Sequence, residues 1–333
     1  MTNMNPSERN NPFKALVLDG KEAAFRQLTS ADLGDGDVLV RVEYSSLNYK
    51  DGLAITGKGK VVRKFPMVPG IDLAGEVVES GSAEFSPGQK VVAVGQGLGE
   101  TRWGGYSQFQ RVSSSALNLI PAGLDPCRAM AIGTAGFTAM LSVLALEHAG
   151  IKPADREVIV TGAAGGVGSV AIILLHQLGY KVAASTGRPE THEYLKELGA
   201  NTIVDRETLA QKGAPLASER WAGGIDSVGG QTLANVIGST VSFGAVAACG
   251  LAGGSDLPLT VFPFILRNVS LLGISSPLTP KGLREQAWNR LAHDVPLAVL
   301  DKITQIEPMD RLFELAPEIL AGKVRGRIAI RNW

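Results

Sequence analysis

Val158-Ile159-Val160-Thr161-Gly162-Ala163-Ala164-Gly165-Gly166-Val167-Gly168-Ser169-Val170-Ala171 is the stretch whose reading decides the fold. A β-branched apolar run breaks into clustered glycines, then resumes as Ala171-Ile172-Ile173-Leu174-Leu175-His176-Gln177-Leu178-Gly179 at helical period. The pattern predicts a strand, a tight turn and a helix. Glycines let the backbone approach a ligand closely. The helix start offers unpaired N–H groups and a positive dipole end to a pyrophosphate. Aligned on its last glycine the turn reads Ala163-x-Gly165-x-x-Gly168, with one glycine displaced to Gly162. In this setting it predicts a dinucleotide site that includes Ala164, Gly165, Gly166 and Val167.

The next strand bears on which dinucleotide. Lys181-Val182-Ala183-Ala184-Ser185-Thr186-Gly187-Arg188 ends where an NAD site would place an Asp or Glu for the ribose 2′-hydroxyl, and no carboxylate follows until Glu190. Thr186, Gly187 and Arg188 stand there instead. A guanidinium binds phosphate bidentately, so this edge suits a 2′-phosphate and predicts NADPH, against the plainer reading of a solvated Arg after a strand.

At 333 residues the chain favours two domains with substantial cores. Lys+Arg and Asp+Glu are 32 each, so no net field attracts nucleic acid or an anionic membrane. No apolar run reads as long enough to span a bilayer, and Met1-Thr2-Asn3-Met4-Asn5-Pro6-Ser7 reads as a short mobile tail without a signal-peptide core. Two isolated cysteines, Cys127 and Cys249, form neither metal spacing nor a disulfide framework, which fits a reduced cytoplasm.

From Phe13 to about Val112 the chain alternates strands and turns: 13–18, 37–44, 70–79 and 89–94, a small β-barrel. From about Asp125 the period changes. A helix over 129–150 and the turn Ile151-Lys152-Pro153-Ala154-Asp155 lead into the fingerprint strand. Helices near 191–198 and from Gln231 then alternate with strands at 201–204, 224–228, 245–249 and 269–274, the signature of a parallel sheet covered on both faces. A helix near 310–320 and a strand over 326–330 close the chain, and this tail could pack back onto the first domain.

Several strings in order carry a resemblance: Ser45-Ser46-Leu47-Asn48-Tyr49-Lys50-Asp51, Thr56-Gly57-Lys58-Gly59, Pro69-Gly70-Ile71-Asp72, Ile132-Gly133-Thr134-Ala135-Gly136-Phe137-Thr138-Ala139, Ala248-Cys249-Gly250-Leu251-Ala252-Gly253-Gly254 and Pro263-Phe264-Ile265-Leu266-Arg267-Asn268-Val269. From Phe13 onward the chain resembles the medium-chain dehydrogenase/reductase superfamily, within it the zinc-free acryloyl-CoA reductase (YhdH-type quinone oxidoreductase) branch. The resemblance implies an α/β architecture with a GroES-like β-barrel catalytic domain at 1–128 and 302–333 and a doubly wound Rossmann domain at 129–301.

Zinc enzymes of that superfamily carry Cys where this chain has Asn48 and Gly-His-Glu where it has Gly70-Ile71-Asp72. A catalytic zinc needs about three N, S or O ligands, so the expectation is a metal-free enzyme. His148, His176, His192 and His293 are singly placed, and His176 reads as packed or solvent-facing. Metal-free chemistry favours an activated C=C: hydride enters at the β-carbon, a proton at the α-carbon, and hydrogen-bond donors hold the enolate oxygen.

Tyr49 is the candidate for that role, as proton donor or as a brace on the nicotinamide ribose, and Asn48 stands beside it. Lys50 and Asp51 read as a structural ion pair. Thr134 could bind the nicotinamide amide or cap a helix. Asp226 is at most an orienting contact, and Cys249 reads as a small buried residue. Leu251 and Ser275 follow the carboxyl ends of two strands, where ligands of open α/β sheets bind. Arg327 completes the candidate cofactor set. Lys58, Lys60, Arg63, Lys64 and Arg267 are candidates for CoA phosphates, with a solvated charge cluster as the alternative for 58–64. The branch implies an NADPH-dependent reductase of short enoyl-CoA, such as acryloyl-CoA to propanoyl-CoA. An NADPH:quinone oxidoreductase and a non-catalytic NADPH-binding protein are the alternatives. A homodimer joined through the strand over 269–274 is expected.

Overall fold

The computed structural model describes residues 11–20, 22–154 and 156–333; the tail reading on residues 1–7 and Asp155 of the turn lie outside them. Two compact units divide the chain: one runs through Thr134 and adds Ser276–Ala292 and Leu300–Trp333, the other comprises Ala135–Ser275 and His293–Val299.

In the second unit six parallel strands lie in the order Thr202–Asp205, Val182–Thr186, Val158–Val160, Trp221–Asp226, Thr240–Ala248, Ser270–Gly273. Counted along the chain this is 3-2-1-4-5-6, the order of a doubly wound dinucleotide fold. Val158–Val160 and Val182–Thr186 are buried at every residue, as strands covered on both faces must be, which explains their near-continuous apolar sequence. The helix Gly166–Gln177 follows the first strand directly and buries eight consecutive residues from Gly168 to Leu175.

In the first unit Thr304–Pro308, Arg327–Arg331, Val38–Ser46, Asp72–Ser80, Lys90–Val94 and Asn118–Leu119 form one sheet, with Phe109–Val112 also on Val38–Ser46. The C-terminal strand returns to pair antiparallel with Val38–Ser46, Ala329 opposite Ser46. Residues 276–292, assigned from sequence to the nucleotide domain, lie in the first unit. The buried Arg284 explains why: its guanidinium donates to the Ser115 carbonyl, the Asn118 amide oxygen (3.0 Å) and the Thr279 carbonyl.

Three departures have local causes. The helix Tyr49–Thr56 was missed because it is short and carries Gly52 at its centre. A Cβ at Gly52 would stand 2.8 Å from Ile319 Cγ2, so the helix Leu312–Leu320 packs against bare backbone. The helix expected over 129–150 spans Pro126–His148 and breaks at Gly133, whose φ of 51° and ψ of −162° are not helical. By length and composition it could cross a membrane, correcting the reading that no run is long enough, but most of it is buried inside the protein.

Candidate functional sites

At the nucleotide turn the glycines act through clearance. Gly162 takes φ 59°, and a Cβ there would stand 2.4 Å from Ser227 Oγ. A Cβ at Gly168 would stand 2.5 Å from the Gly162 carbonyl oxygen, so the helix start closes onto the strand only with glycine there. Gly165 is the extended residue before the first helical turn, where Gly166 and Val167 begin the helix. Ala164 is buried behind them. The orphan N–H groups of this turn are the part of the unit suited to a pyrophosphate.

The turn is braced from below. Thr161 Oγ1 donates to Asp226 at 2.6 Å, and the Gly229 N–H donates to the same carboxylate at 2.7 Å. Asp226 is fully buried, and burial raises its carboxyl above the usual range against these hydrogen bonds. It supports the loops rather than facing a ligand. Cys249 donates Sγ–H to the Asp226 carbonyl at 3.2 Å, and burial followed by the Asp226 charge pushes its thiol up to about 12. Such a thiol is not a nucleophile at neutral pH. Leu251 and Ser275 are exposed, each just beyond a strand end.

At the second strand end Thr186 is buried. Its hydroxyl accepts from the Arg188 N–H at 3.1 Å and contacts Thr191 Oγ1 at 3.2 Å, so it shapes the Thr186-Gly187-Arg188 turn. Beside Arg188 the structure adds a residue that sequence reading missed. A Cβ at Gly187 would stand 2.9 Å from Cζ of Arg206, so this second guanidinium lies against the turn. The register shows how: Asp205 is opposite Thr186 in the parallel pair, which brings the next residues, Arg206 and Gly187, together. A cation at the end of the third strand was the available signal.

In the first unit Asp72 is the centre of a buried polar cluster. Its carboxylate accepts from Ser46 Oγ, from Asn48 Nδ2 at 2.9 Å, from the Thr134 N–H at 2.7 Å and from the Thr134 hydroxyl. Thr134 therefore directs its N–H and its hydroxyl hydrogen to Asp72, and its hydroxyl oxygen retains acceptor capacity. Asn48, the N-cap of Tyr49–Thr56, also donates to Ser46 Oγ at 3.0 Å and to Asp51 at 3.2 Å, while its oxygen accepts from Arg327 Nη1 at 3.4 Å. Its amide is fully engaged, a positioning role rather than direct contact with substrate.

Arg327 is 3% exposed, donates Nε to the Ala131 carbonyl at 2.8 Å, and leaves Nη2 without a partner among the described residues. Its place in this cluster is what the structure shows of the residue expected to contact the cofactor.

The expected Lys50–Asp51 pair does not form. Lys50 reaches Glu100 at 2.6 Å, whereas Asp51 turns inward and accepts from the Ile71 N–H at 3.0 Å and the Asn48 N–H at 2.9 Å. Burial, then the nearby Asp72 charge, raises the Asp51 carboxyl to about 7. Tyr49, one residue beyond Asn48, is half exposed, and its hydroxyl has no partner among the described residues.

Two family models match the chain: an alcohol dehydrogenase GroES-like domain over residues 34–122 and a zinc-binding dehydrogenase domain over 166–293. Acrylyl-CoA reductase AcuI of Ruegeria pomeroyi is 51% identical over 96% of this chain and 98% of its own length. Probable acrylyl-CoA reductase AcuI of Escherichia coli is 50% identical over 96% and 99%. The crystal structure of the yhdH oxidoreductase from Salmonella enterica in complex with NADP superposes with a TM-score of 0.94, at 50% identity over 96% of this chain and 99% of that one.

Zinc does not fit. Ile71 offers no ligand atom, Asn48 offers an amide already engaged, and Asp72 is committed to four donors. Among the described residues no three His, Cys, Asp or Glu come together. A phosphorylated dinucleotide does fit: the turn has the glycine clearance, the helix start has the donors, and Arg188 and Arg206 flank the second strand end.

Proposed function

Because the chain belongs to the zinc-free acryloyl-CoA reductase (YhdH-type) branch of the medium-chain dehydrogenase/reductase superfamily, we propose that it reduces the activated C=C of a short enoyl-CoA with NADPH, acryloyl-CoA to propanoyl-CoA being the best single case. When bound, the nicotinamide supplies a hydride to the β-carbon. A proton then reaches the α-carbon, and the thioester oxygen carries the charge between the two events. Gly165, Gly166 and Val167 would hold the pyrophosphate. Arg188 and Arg206 would hold the 2′-phosphate through bidentate guanidinium contacts. Tyr49 is a half-exposed donor of the first unit that follows the Asn48 cap, which Asp51, Asp72 and Arg327 in turn lock.

The observation that carries the reading is the pairing of a phosphate-suited strand end with a polar cluster that cannot ligate zinc. Steady NADPH oxidation on adding acryloyl-CoA, with propanoyl-CoA as product, is the expected result. Oxidation with quinones alone would instead favour the quinone oxidoreductase alternative, and none with either the non-catalytic one.

We further propose a cytoplasmic homodimer. Both cysteines are free thiols, as a reducing compartment keeps them. The strand Ser270–Gly273 ends its sheet with one edge unpaired, and Val261, Ile265 and Leu266 nearby are 60%, 67% and 62% exposed. An apolar edge of this kind is a liability unless a second copy pairs with it. Light scattering should give twice the 34.9 kDa chain mass at micromolar concentration; a monomer mass would refute the dimer.

A further inference from the structure

The loop that follows the helix Tyr49–Thr56 carries Lys58, Lys60, Arg63 and Lys64, all exposed, with Arg102 exposed on the neighbouring loop. None of the five pairs with a carboxylate among the described residues. This is unusual for a chain whose cations and anions are equal in number, and whose adjacent Lys50 is paired with Glu100.

The loop is a built platform. Between the cations, Val61 and Val62 turn inward and pack with Trp103 on the buried Leu18, Ala54 and Met67. The Arg63 N–H donates to the Glu100 carbonyl at 2.8 Å, Met67 and Leu18 exchange two backbone hydrogen bonds, and Trp103 Nε1 donates to the Pro66 carbonyl at 2.9 Å. Gly59 lies on the Leu53 side chain, the position of its Cβ 3.1 Å from Leu53 Cβ. The apolar face is tied down and the charged face is held toward water. Tyr49 starts the helix and the cations follow its other end, about 12 Å away along its axis at the usual helical rise.

We infer that this platform binds the phosphates of the substrate's CoA tail, the pyrophosphate and 3′-phosphate that a long pantetheine arm sets well away from the reacting carbons. The inference rests on the thioester-reductase reading and extends it to the part of the substrate that does not react. Clustered cations on a fixed floor lose little entropy on meeting a polyanion. They act together where a single exposed pair would contribute almost nothing.

The test compares acryloyl-CoA with acryloyl-pantetheine, which lacks the nucleotide phosphates, in the wild-type chain and in Lys58→Gln/Lys60→Gln/Arg63→Gln/Lys64→Gln. The variant should raise KM for acryloyl-CoA about tenfold or more, the effect lying in KM rather than kcat. KM for acryloyl-pantetheine and for NADPH should move less than about twofold, well under the energy of one tenfold step. The pair Lys60→Glu/Lys64→Glu should raise KM for acryloyl-CoA further, and added salt should narrow the gap between the two thioesters. Equal KM for acryloyl-CoA in wild type and variant would overturn the inference, as would a rise confined to NADPH. Calorimetry with free CoA separates this from the activity reading. If the wild type reduces neither thioester, the reductase reading fails by itself. The platform then stands if the wild type binds CoA more tightly than the variant, and falls if the two bind it equally.

Discussion

The guanidinium of Arg206 lies against Gly187, close enough that a Cβ on Gly187 would stand 2.9 Å from its Cζ. With Arg188 one residue away, two arginines flank the strand end where a ribose-binding carboxylate is missing. Arg188→Ala and Arg206→Ala should each raise KM for NADPH about 10–100-fold, the range expected for losing one charge-assisted phosphate contact. KM for NADH should stay nearly constant. Equal use of both cofactors by the unmodified protein would remove the 2′-phosphate assignment.

The two arginines also show how far sequence carries. Arg188 was legible because the strand, the turn and the cation are contiguous, and the fingerprint Gly162 to Gly168 was legible for the same reason. Arg206 lies eighteen positions further on, and only the parallel register of Asp205 with Thr186 brings it back. The Asp72 cluster is less legible still. Its members come from residues 46, 48, 51, 72, 134 and 327, and no local pattern announces that Asp72 will receive Thr134. Lys50-Asp51 reads as a pair because opposite charges are adjacent. The short helix from Tyr49 instead sends Lys50 outward to Glu100 and Asp51 inward.

Gly133 should be intolerant of any side chain. Its φ of 51° breaks the helix Pro126–His148 so that the Thr134 N–H turns to Asp72. A Cβ there would stand 2.6 Å from Arg327 Nη2 and 2.8 Å from both Asp72 Oδ2 and Ser46 Oγ. Gly133→Ala combines a left-handed backbone, itself about 1–3 kcal/mol for a non-glycine residue, with a collision in a packed polar cluster. Thermal unfolding should show a clearly lowered Tm, and a variant as stable as the parent would contradict this geometry.

Asp51 gives the pH dependence a definite sign. Its carboxyl rises from 3.8 to about 7 in the folded chain, so between these values the folded state holds a proton that the unfolded state has released. Stability from this group is complete below about pH 4 and is lost as pH rises to about 7, then stays level. Asp51→Asn retains an oxygen for the Ile71 N–H and cannot ionise, so its denaturation midpoint should fall less than that of the parent between pH 5 and 8, as follows from the same linkage. Parallel curves for the two proteins would mean that Asp51 is already ionised in the fold.

Metal removal should be without effect. Asn48, Ile71 and Asp72 stand where three zinc ligands would be needed, and the only carboxylate among them accepts from Ser46, Asn48 and Thr134. Activity should survive prolonged chelation, and elemental analysis should find no stoichiometric zinc. A bound zinc whose loss abolishes turnover would refute this.

Tyr49→Phe separates two roles for the exposed phenol. As general acid at the α-carbon, Tyr49 should be worth about 10²–10⁴ in kcat, with little change in NADPH affinity. As a brace on the nicotinamide ribose, its loss should weaken NADPH binding and lower kcat at saturation only modestly. Tyr49 is half exposed and its hydroxyl has no partner among the described residues, while the Asp51 and Asp72 carboxylates are engaged by Asn48. Solvent can protonate the α-carbon once hydride has moved. We therefore expect the second outcome, a rise in KM for NADPH with kcat reduced less than about tenfold. Normal kcat together with normal NADPH affinity would remove Tyr49 from the site.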